Sequence, residues 1–563
     1  MNISGAGVDN FNISRALAEV AESQSDNTGL IEKVFGGYRS WTFKELDRNA
    51  SAYAHGLKKM GVGRNDRAVL MVKPSMEFVC LAFALFRLGT PVILIDPGMG
   101  YYNLLRCVAY VRPTVFIGVP KAQFFRLLNP GVFGSVKRSV CVGPSFSLLG
   151  SSLAGLAKFN KGAFETPPTA RDDLAAIIFT TGSTGPPKGV QYTHGVFQAQ
   201  KDLIRNYYGI TPDDIDQPAF PLFALFSTAL GACAVIPDMN PAHPARVNPE
   251  RFVNSLIEKG VTYSFGSPAI WNVVSRYCLD HGIVLEKLRL VLMAGAPVPF
   301  ELIERVKRIM SPAGEIHTPY GATEALPVTS MTGSEVLEET WKNTMNGGGT
   351  CVGKPLPGNE VRIIRTCDEP IAELADAYEL SPGSIGEIIV CGEIVTSVYD
   401  NNGSETELAK INDNGRVWHR MGDLGYLDEA GRLWFCGRRA HRVKAAGGEM
   451  YTIPCEAIFN EHPDVYRSAL VGIKRDGELH ETPVLIVEPY SRYEERALVA
   501  DLAKLALANP LTRNIKHFLI NESFPVDIRH NAKIFREKLA VWAQREISFE
   551  EAPAEAAGCG GDE

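Results

Sequence analysis

Short apolar runs alternate with amphipathic stretches over most of the chain. The runs at 67–72 and 114–117 have the length of buried strands, and the stretches between such runs have helical periodicity. The stretch 42–60 opens with Thr42, followed three residues later by Glu45, which is the spacing of a capping box. Strands that alternate with helices form parallel sheets with crossover helices, so the pattern predicts an α/β fold of mostly parallel βαβ-type sheets.

The rhythm of the pattern changes twice towards the C-terminus. From Val361 the sequence is rich in strands and punctuated by turns, which predicts a small β-rich subdomain. After Gly437 it becomes compact α+β sequence. We therefore predict an N-terminal domain at 1–436 and a small, mobile α+β C-terminal domain at 437–548. The acidic segment at 549–563, rich in alanine and glycine, is predicted to be a disordered tail.

The composition of the 563 residues is that of a soluble globular protein, with 45% hydrophobic and 21% charged residues. The net charge of −7 argues against a nucleic-acid partner. Eleven scattered cysteines without paired metal spacings indicate buried, reduced thiols in a cytoplasmic protein.

The most apolar window, 78–95, is interrupted by Arg87, Gly89 and Pro91, so it predicts a helix and a strand and no transmembrane segment. Residues 1–19 lack the order of a secretory signal.

A loop rich in glycine and hydroxyl residues follows a predicted buried strand at 174–178. Residues 179–189 are Phe-Thr-Thr-Gly-Ser-Thr-Gly-Pro-Pro-Lys-Gly. Backbone amides and hydroxyls in such a loop can surround phosphate oxygens, because glycine lets the main chain approach an anion closely. Lys188 adds a positive charge. The spacing is not that of the Walker P-loop, which disfavours an ordinary P-loop NTPase, and the loop alone could equally be a surface turn.

Six further motifs follow in a fixed order. They are Met-Ala-Gly-Ala-Pro at 293–297, Thr-Pro-Tyr-Gly-Ala-Thr-Glu at 318–324, Met-Gly-Asp-Leu-Gly at 421–425, Gly-Arg at 437–438, Lys-Ala-Ala-Gly-Gly-Glu at 444–449, and Asp-Ile-Arg-His-Asn-Ala-Lys-Ile-Phe-Arg at 527–536. The first closes a predicted strand, and the second is predicted to be another Gly/Thr loop. With this set the chain resembles the adenylate-forming superfamily of acyl-CoA synthetases, peptide-synthetase adenylation domains and luciferases, over about 12–541. The resemblance implies ATP and Mg²⁺ as cofactors.

The resemblance assigns most of these motifs to the nucleotide. The β- and γ-phosphates would be held by Thr180, Thr181, Gly182, Ser183, Thr184, Gly185 and Lys188. The adenine site would consist of the stacking ring of Tyr320, Gly321, and a wall formed by Gly295 and Ala296. Asp423 would accept hydrogen bonds from both ribose hydroxyls, with Arg438 near the same sugar.

The same resemblance implies three catalytic residues. Thr323 would donate to the α-phosphate, Glu324 would bind Mg²⁺, and Lys533 would bridge the substrate carboxylate and the α-phosphate. Positive charge and hydrogen-bond donors are what the expulsion of pyrophosphate requires. Outside this context Asp423 could be a turn residue, and Glu324 a carboxylate in the first turn of a helix. Lys533 could belong to a solvated basic helix face at 529–538.

The chain departs from the common pattern at two positions. Many acyl-CoA ligases have a histidine after the Pro-Leu-Phe that ends at Phe223, and here Ala224 stands in that place. The hinge position two residues after 437–438 is usually Asp or Lys, and here it is Ala440. The chain in this respect resembles the β-lactone synthetases of bacterial long-chain olefin biosynthesis. The segments that carry this resemblance are 220–226, 235–239, 265–268, 294–299, 318–324 and 529–533.

This second resemblance implies adenylation of a long-chain 2-alkyl-3-hydroxy fatty acid. The 3-hydroxyl would attack the acyl adenylate, and because this nucleophile is tethered, no second substrate loses translational entropy. The products would be a β-lactone, AMP and pyrophosphate. The acyl pocket would be lined by Phe223, Ala224, Phe226, Phe265, Gly266 and Trp271, although aromatic residues often form plain core. By residue type, His194 and His419 are candidate bases for the hydroxyl proton.

Two alternatives remain open from the sequence. The first is a long-chain fatty acyl-CoA or acyl-carrier-protein ligase, because 444–447 keeps the glycine loop that usually borders a pantetheine tunnel. The second is a non-enzymatic nucleotide-binding scaffold. The joint presence of four charged site residues argues against it, since a scaffold needs none of them: Lys188, Glu324, Asp423 and Lys533. The resemblance also implies association with an olefin-pathway reductase and a β-lactone decarboxylase.

Overall fold

The computed structural model describes most of the chain. The described residues are 10–145, 147–180, 187–220, 222–474, 477–490, 493–526 and 534–550. Part of the predicted phosphate loop and Lys533 lie outside them, as does the tail after Glu550.

The strands of the described residues are numbered in chain order. They are β1 (Thr28–Val34), β2 (Gly37–Thr42), β3 (Ala68–Met71), β4 (Val92–Leu94), β5 (Val115–Gly118), β6 (Arg138–Cys141), β7 (Ser151–Ser152), β8 (Leu174–Thr180), β9 (Lys188–Thr193), β10 (Ile215–Asp216), β11 (Cys233–Ile236), β12 (Tyr263–Gly266), β13 (Leu290–Met293), β14 (Glu315–Ala322), β15 (Ala325–Thr332), β16 (Thr350–Pro355), β17 (Glu360–Ile364), β18 (Gly386–Cys391), β19 (Lys410–Asp413), β20 (Arg416–Leu427), β21 (Leu433–Arg438), β22 (Val443–Ala445), β23 (Gly448–Met450), β24 (Val465–Ile473), β25 (Thr482–Pro489) and β26 (His517–Ile520).

The helices are numbered in the same way. They are α1 (Arg15–Ser23), α2 (Phe43–Lys59), α3 (Met76–Leu88), α4 (Tyr101–Val111), α5 (Pro120–Leu128), α6 (Leu153–Ala157), α7 (His194–Tyr208), α8 (Phe223–Leu230), α9 (Pro249–Lys259), α10 (Pro268–Asp280), α11 (Phe300–Ile309), α12 (Gly333–Glu335), α13 (Trp341–Asn343), α14 (Gly403–Ala409), α15 (Thr452–Asn460), α16 (Glu495–Ala508) and α17 (Arg536–Glu550). The predicted capping box is present, because Thr42 and Glu45 exchange hydrogen bonds at the start of α2.

The first sheet has seven strands in the order β7-β6-β5-β3-β4-β8-β9. All its neighbouring pairs are parallel except β8–β9. Its central strands are short and apolar, and all four residues of β5 are buried, as expected for a sheet covered by helices on both faces. Helices α4 and α5 pack on its outer face through Cys107 and Phe125, which share one apolar core with Phe116 of β5. This arrangement confirms the predicted βαβ organisation.

The second sheet is larger and changes character along its length. The strands β1, β11, β10, β12, β13 and β14 run parallel to their neighbours within this group. From β14 onward the order β14-β15-β16-β21-β20-β18-β17 is antiparallel, with β19 paired to β20. The antiparallel half is the β-rich subdomain predicted from Val361, and it also includes the earlier strands β15 and β16. The α/β fold class is thereby confirmed.

One segment joins the edge strand β9 of the first sheet to the chain near Tyr399. Strand β9 forms an isolated bridge between Val190 and Tyr399. Gln191 N donates to the carbonyl of Val398, and the amide of Asp400 donates to Gly189 at 2.7 Å. Residues around Tyr399 are thus fixed beside the start of β9, where the predicted phosphate loop returns to the sheet.

The prediction of a loop at 318–324 is wrong for most of its length. Residues up to Ala322 belong to β14, and only Thr323 and Glu324 form a turn before β15 begins at Ala325. The reason is the antiparallel partner: β15 pairs with β14 on both sides of a register shift between Tyr320 and Ala322, and this pairing overrides the low strand propensity of the glycine and proline in the motif.

The chain after Arg438 has its own cores. Strands β24, β25 and β26 form a three-stranded sheet. A core that includes Phe459 lies on one side of this sheet, and another that includes Ile486 lies on the other side with α17. Helix α17 extends to Glu550, two residues into the segment predicted to be a tail.

No helix in the described part of the chain is long and apolar enough to cross a membrane. The ten described cysteines are unpaired, and all except Cys367 are buried.

Candidate active site

Three of the predicted nucleotide residues form one contact group. Asp423 on β20 and Arg438 on β21 are register partners, so their side chains lie side by side. The Tyr320 hydroxyl on β14 donates to Asp423 Oδ2 at 2.6 Å, and Arg438 Nη1 lies 3.0 Å from Asp423 Oδ1. Asp423 therefore lies inside a strand, and not in a turn as the alternative interpretation of its motif would have it.

Burial controls the protonation of this group. It raises the pKa of Asp423, while Arg438 and the Tyr320 hydroxyl oppose the rise. Burial, followed by the charge of Asp423, raises the pKa of Tyr320, so the phenol stays protonated and donates. Asp423 Oδ1 has no aligned hydrogen bond to a described residue. It is a buried acceptor with an ion-pair partner but no aligned hydrogen bond, and a sugar hydroxyl is a donor of the kind that supplies one.

Thr323 and Glu324 form the two-residue turn of the β14–β15 hairpin, in which Ala322 pairs with Ala325. Glu324 is therefore at the tip of a hairpin and not in the first turn of a helix. The Tyr399 hydroxyl donates to Glu324 Oε1 at 2.7 Å. This bond orients one carboxylate oxygen and leaves the other available for a ligand.

The backbone of this turn is held from two sides. The amide and hydroxyl of Thr396 both donate to the carbonyl of Glu324, at 2.9 and 3.1 Å. The Tyr192 hydroxyl donates to the carbonyl of Thr323 at 2.5 Å. Lys410 Nζ in turn donates to the carbonyl of Thr396, and burial lowers the pKa of Lys410 to about 7. The turn is thus preorganised by residues that lie outside the sequence motifs.

Lys188 is a described residue of the predicted phosphate loop. Lys188 is the first residue of β9 and the register partner of Thr180, the last residue of β8. These two residues are therefore adjacent. Lys188 Nζ lies 2.5 Å from Glu405 Oε2 and 5.5 Å from the centre of the Tyr399 ring. Lys188 and Glu324 therefore both contact Tyr399. The site residues that lie outside the described residues are Thr181, Gly182, Ser183, Thr184, Gly185 and Lys533, and their roles stay predictions.

Glycines shape the predicted adenine site. Gly295 follows β13 with a φ of +94°, a conformation that favours glycine. Because β13 and β14 are parallel neighbours, the loop with Gly295 and Ala296 lies at the same edge of the sheet as Tyr320. A Cβ atom on Gly321 would lie 2.6 Å from the carbonyl oxygen of Ala325, so the hairpin excludes a side chain there.

The predicted acyl pocket contains a compact aromatic group. The Phe223 ring stacks on the Phe265 ring with centroids 3.6 Å apart, and it lies 6.0 Å from the Phe226 ring. Ala224, on the same helix α8, is fully buried. A histidine in its place would have to fit into a filled interior, so the alanine is consistent with the packing of this helix.

Trp271 and Gly266 are not part of that aromatic group. Trp271 is fully buried in a different core and packs edge to face on Phe252. A Cβ atom on Gly266 would lie 2.9 Å from Trp271 Nε1, so Gly266 leaves room for the indole. The structure brings these two residues together but places the indole away from Phe223.

The two candidate histidines lie in different places. His194 follows the last residue of β9, about 20 Å along the strand from Lys188. It accepts a hydrogen bond from the amide of Ile13, and burial lowers its pKa to about 4. His419 is the register partner of Lys410, and burial followed by the Lys410 charge lowers the pKa of His419 well below its ordinary range. Only His419 is near the Glu324 turn.

Several contact residues of the site were not predicted from the sequence. Tyr192, Tyr399, Glu405 and Lys410 belong to none of the motifs. The only sequence signal they offer is their residue type, because their contacts join segments far apart in the chain. Tyr399 and Glu324, for example, are separated by 75 positions.

Comparison with known proteins gave matches over most of the chain. The family model for AMP-binding enzyme matches residues 17–400. The olefin beta-lactone synthetase of Xanthomonas campestris pv. campestris is 44% identical over 514 residues, which cover 90% of this chain and 91% of that protein.

Two solved structures share the fold at low sequence identity. The amide bond synthetase McbA from Marinactinospora thermotolerans has a TM-score of 0.77 and 21% identity, with coverage of 94% of this chain and 99% of that one. The O-succinylbenzoate coenzyme A synthetase of Bacillus subtilis, in complex with ATP and a magnesium ion, has a TM-score of 0.72 and 21% identity, with coverage of 93% and 98%.

Proposed function

The chain belongs to the AMP-binding enzyme family and is an AMP-forming ligase-type enzyme, and from this premise we propose that its product is a β-lactone. A long-chain 2-alkyl-3-hydroxy fatty acid reacts with ATP to give an acyl adenylate and pyrophosphate. The 3-hydroxyl oxygen then attacks the acyl carbon, its proton passes to a base, and the bond to the AMP oxygen breaks. The observation that carries the proposal is the 44% identity over 90% of the chain to an olefin beta-lactone synthetase.

In this proposal the Tyr320–Asp423–Arg438 group binds the nucleoside. The buried, unaligned Asp423 Oδ1 accepts from the ribose, and Tyr320 provides the stacking face for adenine. Lys188 and the loop before it hold the β- and γ-phosphates, with Thr323 directed to the α-phosphate. Lys533 completes the charge around the carboxylate and the α-phosphate.

Glu324 is the ligand that we propose for Mg²⁺. Among the described residues there is no cluster of three or more His, Cys, Asp or Glu side chains placed to hold a metal. A single carboxylate fits Mg²⁺, because this ion commonly binds one or two carboxylates together with substrate phosphates. When bound, the ion neutralises charge that develops on the departing pyrophosphate. The B. subtilis relative in complex with ATP and a magnesium ion supports the same pair of cofactors.

The acyl side of the proposal rests on Phe223, Phe265 and Ala224. The stacked phenylalanines form an apolar surface that suits an alkyl chain and excludes water from the adenylate, and the fully buried Ala224 belongs to the helix that carries Phe223. Of the two histidines, we propose His419 as the base, because its register partner Lys410 supports the Glu324 turn, whereas His194 lies at the far end of β9. A reductase would supply the hydroxy acid and a β-lactone decarboxylase would consume the product.

The direct test is turnover without coenzyme A. Purified enzyme, ATP, Mg²⁺ and a racemic 2-alkyl-3-hydroxy acid should release pyrophosphate over many cycles, and mass spectrometry should detect a product lighter than the acid by one water. The matched control is the Asp423→Ala variant under the same conditions, which should form little product at the same ATP concentration because its ribose acceptor is missing.

The long-chain acyl-CoA or acyl-carrier-protein ligase is the competing function. The hairpin β22–β23 retains the glycine turn that the sequence suggests for a pantetheine channel. If pyrophosphate release requires coenzyme A or a carrier protein and the product is a thioester, the lactone proposal is wrong.

We also propose that the C-terminal domain at 437–548 moves relative to the domain at 1–436. The contacts of Asp368 with Arg439, Arg442 and Lys444 cross this boundary at 3.6, 3.6 and 3.2 Å. Asp368 is 63% exposed, and exposed ion pairs contribute about 0–1 kcal/mol each, so these three contacts resist movement weakly; Arg439 also lies 3.7 Å from the buried Glu387. Such freedom is needed if Lys533 is to reach the nucleotide site.

Limited proteolysis tests this movement. Trypsin should cut between Arg438 and Arg442, where Ala440 is exposed, and saturating ATP with substrate should slow the cut by closing the two parts. The rate of appearance of the two fragments on a gel is the measurement. The Asp423→Ala variant is the control and, at an ATP concentration that saturates the wild type but lies below the raised KM of the variant, should be cut at nearly the same rate with and without ligand. If saturating ligand does not slow the cutting of the wild type, the proposed closure is contradicted.

A further inference from the structure

Helices α4 and α5 present apolar side chains to solvent on the outer face of the seven-stranded sheet. Tyr102 is 72% exposed on α4, and Leu128 is 80% exposed on α5. Phe124, one turn before Leu128, is also exposed. The two helices form one surface, because the ring of Tyr101 on α4 lies 5.3 Å from that of Phe125 on α5. We call this surface the α4–α5 face; its exposed members are Tyr101, Tyr102, Arg106, Lys121, Phe124 and Leu128.

The stretch of chain that carries this face has a charge opposite to that of the whole protein. Residues 97–164 contain eight lysines and arginines and no aspartate or glutamate, in a chain with a net charge of −7. Arg106 and Lys121 belong to the face itself, and neither lies within ion-pair distance of a described carboxylate. The Arg106 guanidinium instead lies 5.6 Å from the centre of the Tyr102 ring. The face is thus a basic and apolar area on an acidic protein.

We propose that the α4–α5 face binds the surface of an anionic lipid bilayer. Tyrosine rings are stable at the headgroup level, and leucine and phenylalanine side chains enter the boundary of the acyl chains. Unpaired basic side chains bind the negatively charged headgroups. A bilayer satisfies all three kinds of side chain at once, and the positive charge selects anionic lipid over neutral lipid.

Membrane binding is a property beyond the proposed reaction. Only the advantage of membrane binding rests on the proposed function. A long-chain hydroxy acid dissolves in the bilayer, so a bound enzyme works where its substrate is concentrated. The membrane contact itself follows from the exposed side chains and the charge of the face. Its failure and the failure of β-lactone formation are therefore separate results.

Vesicle co-sedimentation of the full chain tests the proposal. The protein should sediment with vesicles of phosphatidylcholine and phosphatidylglycerol and stay in the supernatant with phosphatidylcholine alone. Added salt should release it, because salt screens the headgroup charge. The double variants Arg106→Glu/Lys121→Glu and Phe124→Ser/Leu128→Ser should each weaken the partition at least about tenfold. The matched control Leu507→Ser removes an exposed leucine of α16 and should bind like the wild type.

Two further measurements make each outcome decisive. The variants should keep the melting temperature and the turnover of a detergent-dispersed substrate, which shows that they fold. Equal sedimentation with both kinds of vesicle, no sedimentation of the wild type, or equal loss in the Leu507→Ser control would overturn the proposal. A change in oligomeric state of the face variants, measured by light scattering without any vesicle binding, would instead show that the face contacts protein.

Discussion

A substrate analogue without the 3-hydroxyl should give about one equivalent of pyrophosphate per enzyme and then almost no further turnover. The carboxylate and ATP are unchanged in this analogue, so adenylation should proceed. The acyl adenylate then has no internal nucleophile. The stacked Phe223 and Phe265 rings fill the space beside α8 and limit the access of water, so steady turnover should fall at least about 100-fold below that of the hydroxy acid.

Coenzyme A should not restore turnover of the analogue. Ala224 is fully buried, where many acyl-CoA ligases have a histidine beside the acceptor channel, and Ala440 replaces the usual hinge residue. Rapid-quench measurement of pyrophosphate, with and without coenzyme A, provides the test, and the 3-hydroxy acid is its positive control. Multiple turnover of the analogue that depends on coenzyme A would identify an ordinary acyl-CoA ligase.

The variants Glu324→Gln and Asp423→Ala should fail in different kinetic parameters. Glu324→Gln removes the charge proposed to bind Mg²⁺ as pyrophosphate leaves, so kcat should fall about 100-fold or more. Asp423→Ala removes hydrogen bonds that are present before and during the reaction, so KM for ATP should rise about 10- to 100-fold. Steady-state kinetics at varied ATP and Mg²⁺ concentrations separate the two effects.

Structural damage must be excluded for these buried or half-buried residues. Asp423→Ala also leaves Arg438 and Tyr320 without their partner, so thermal unfolding of each variant should be measured in parallel. Glu338→Gln changes an exposed glutamate nearby in the sequence and should behave like the wild type. An equal fall of kcat in both site variants, with KM for ATP unchanged, would reject the two assignments.

Local patterns predicted the elements that position the site. The apolar run at 174–178 is within β8, and the capping box starts α2 where Thr42 predicts it. Both depend on contacts between close neighbours in the sequence, and such contacts leave a periodic or spaced pattern. The motifs around Asp423 and Arg438 also predicted two residues that the structure pairs.

Contacts between distant segments could not be predicted in this way. The hydrogen bond from Tyr399 to Glu324 and the ion pair of Lys188 with Glu405 depend on how β9 meets the segment near Tyr399. The extent of β14 likewise depends on its partner β15, which is why a motif rich in glycine and threonine forms a strand. Trp271 has the residue type of a pocket wall, and only its packing on Phe252 shows that it belongs to another core.

The Tyr320–Asp423–Arg438 group has a consequence for how this chain can evolve. Tyr320, Asp423 and Arg438 lie on β14, β20 and β21 of one sheet, and Arg438 is only the second residue of the proposed C-terminal domain, so the proposed ribose contacts depend on this one sheet. Substitutions in the part after Arg438 can alter which acceptor meets the activated acyl group while the affinity for ATP is retained. New chemistry can therefore be selected in the smaller part without a loss of nucleotide binding in the larger one.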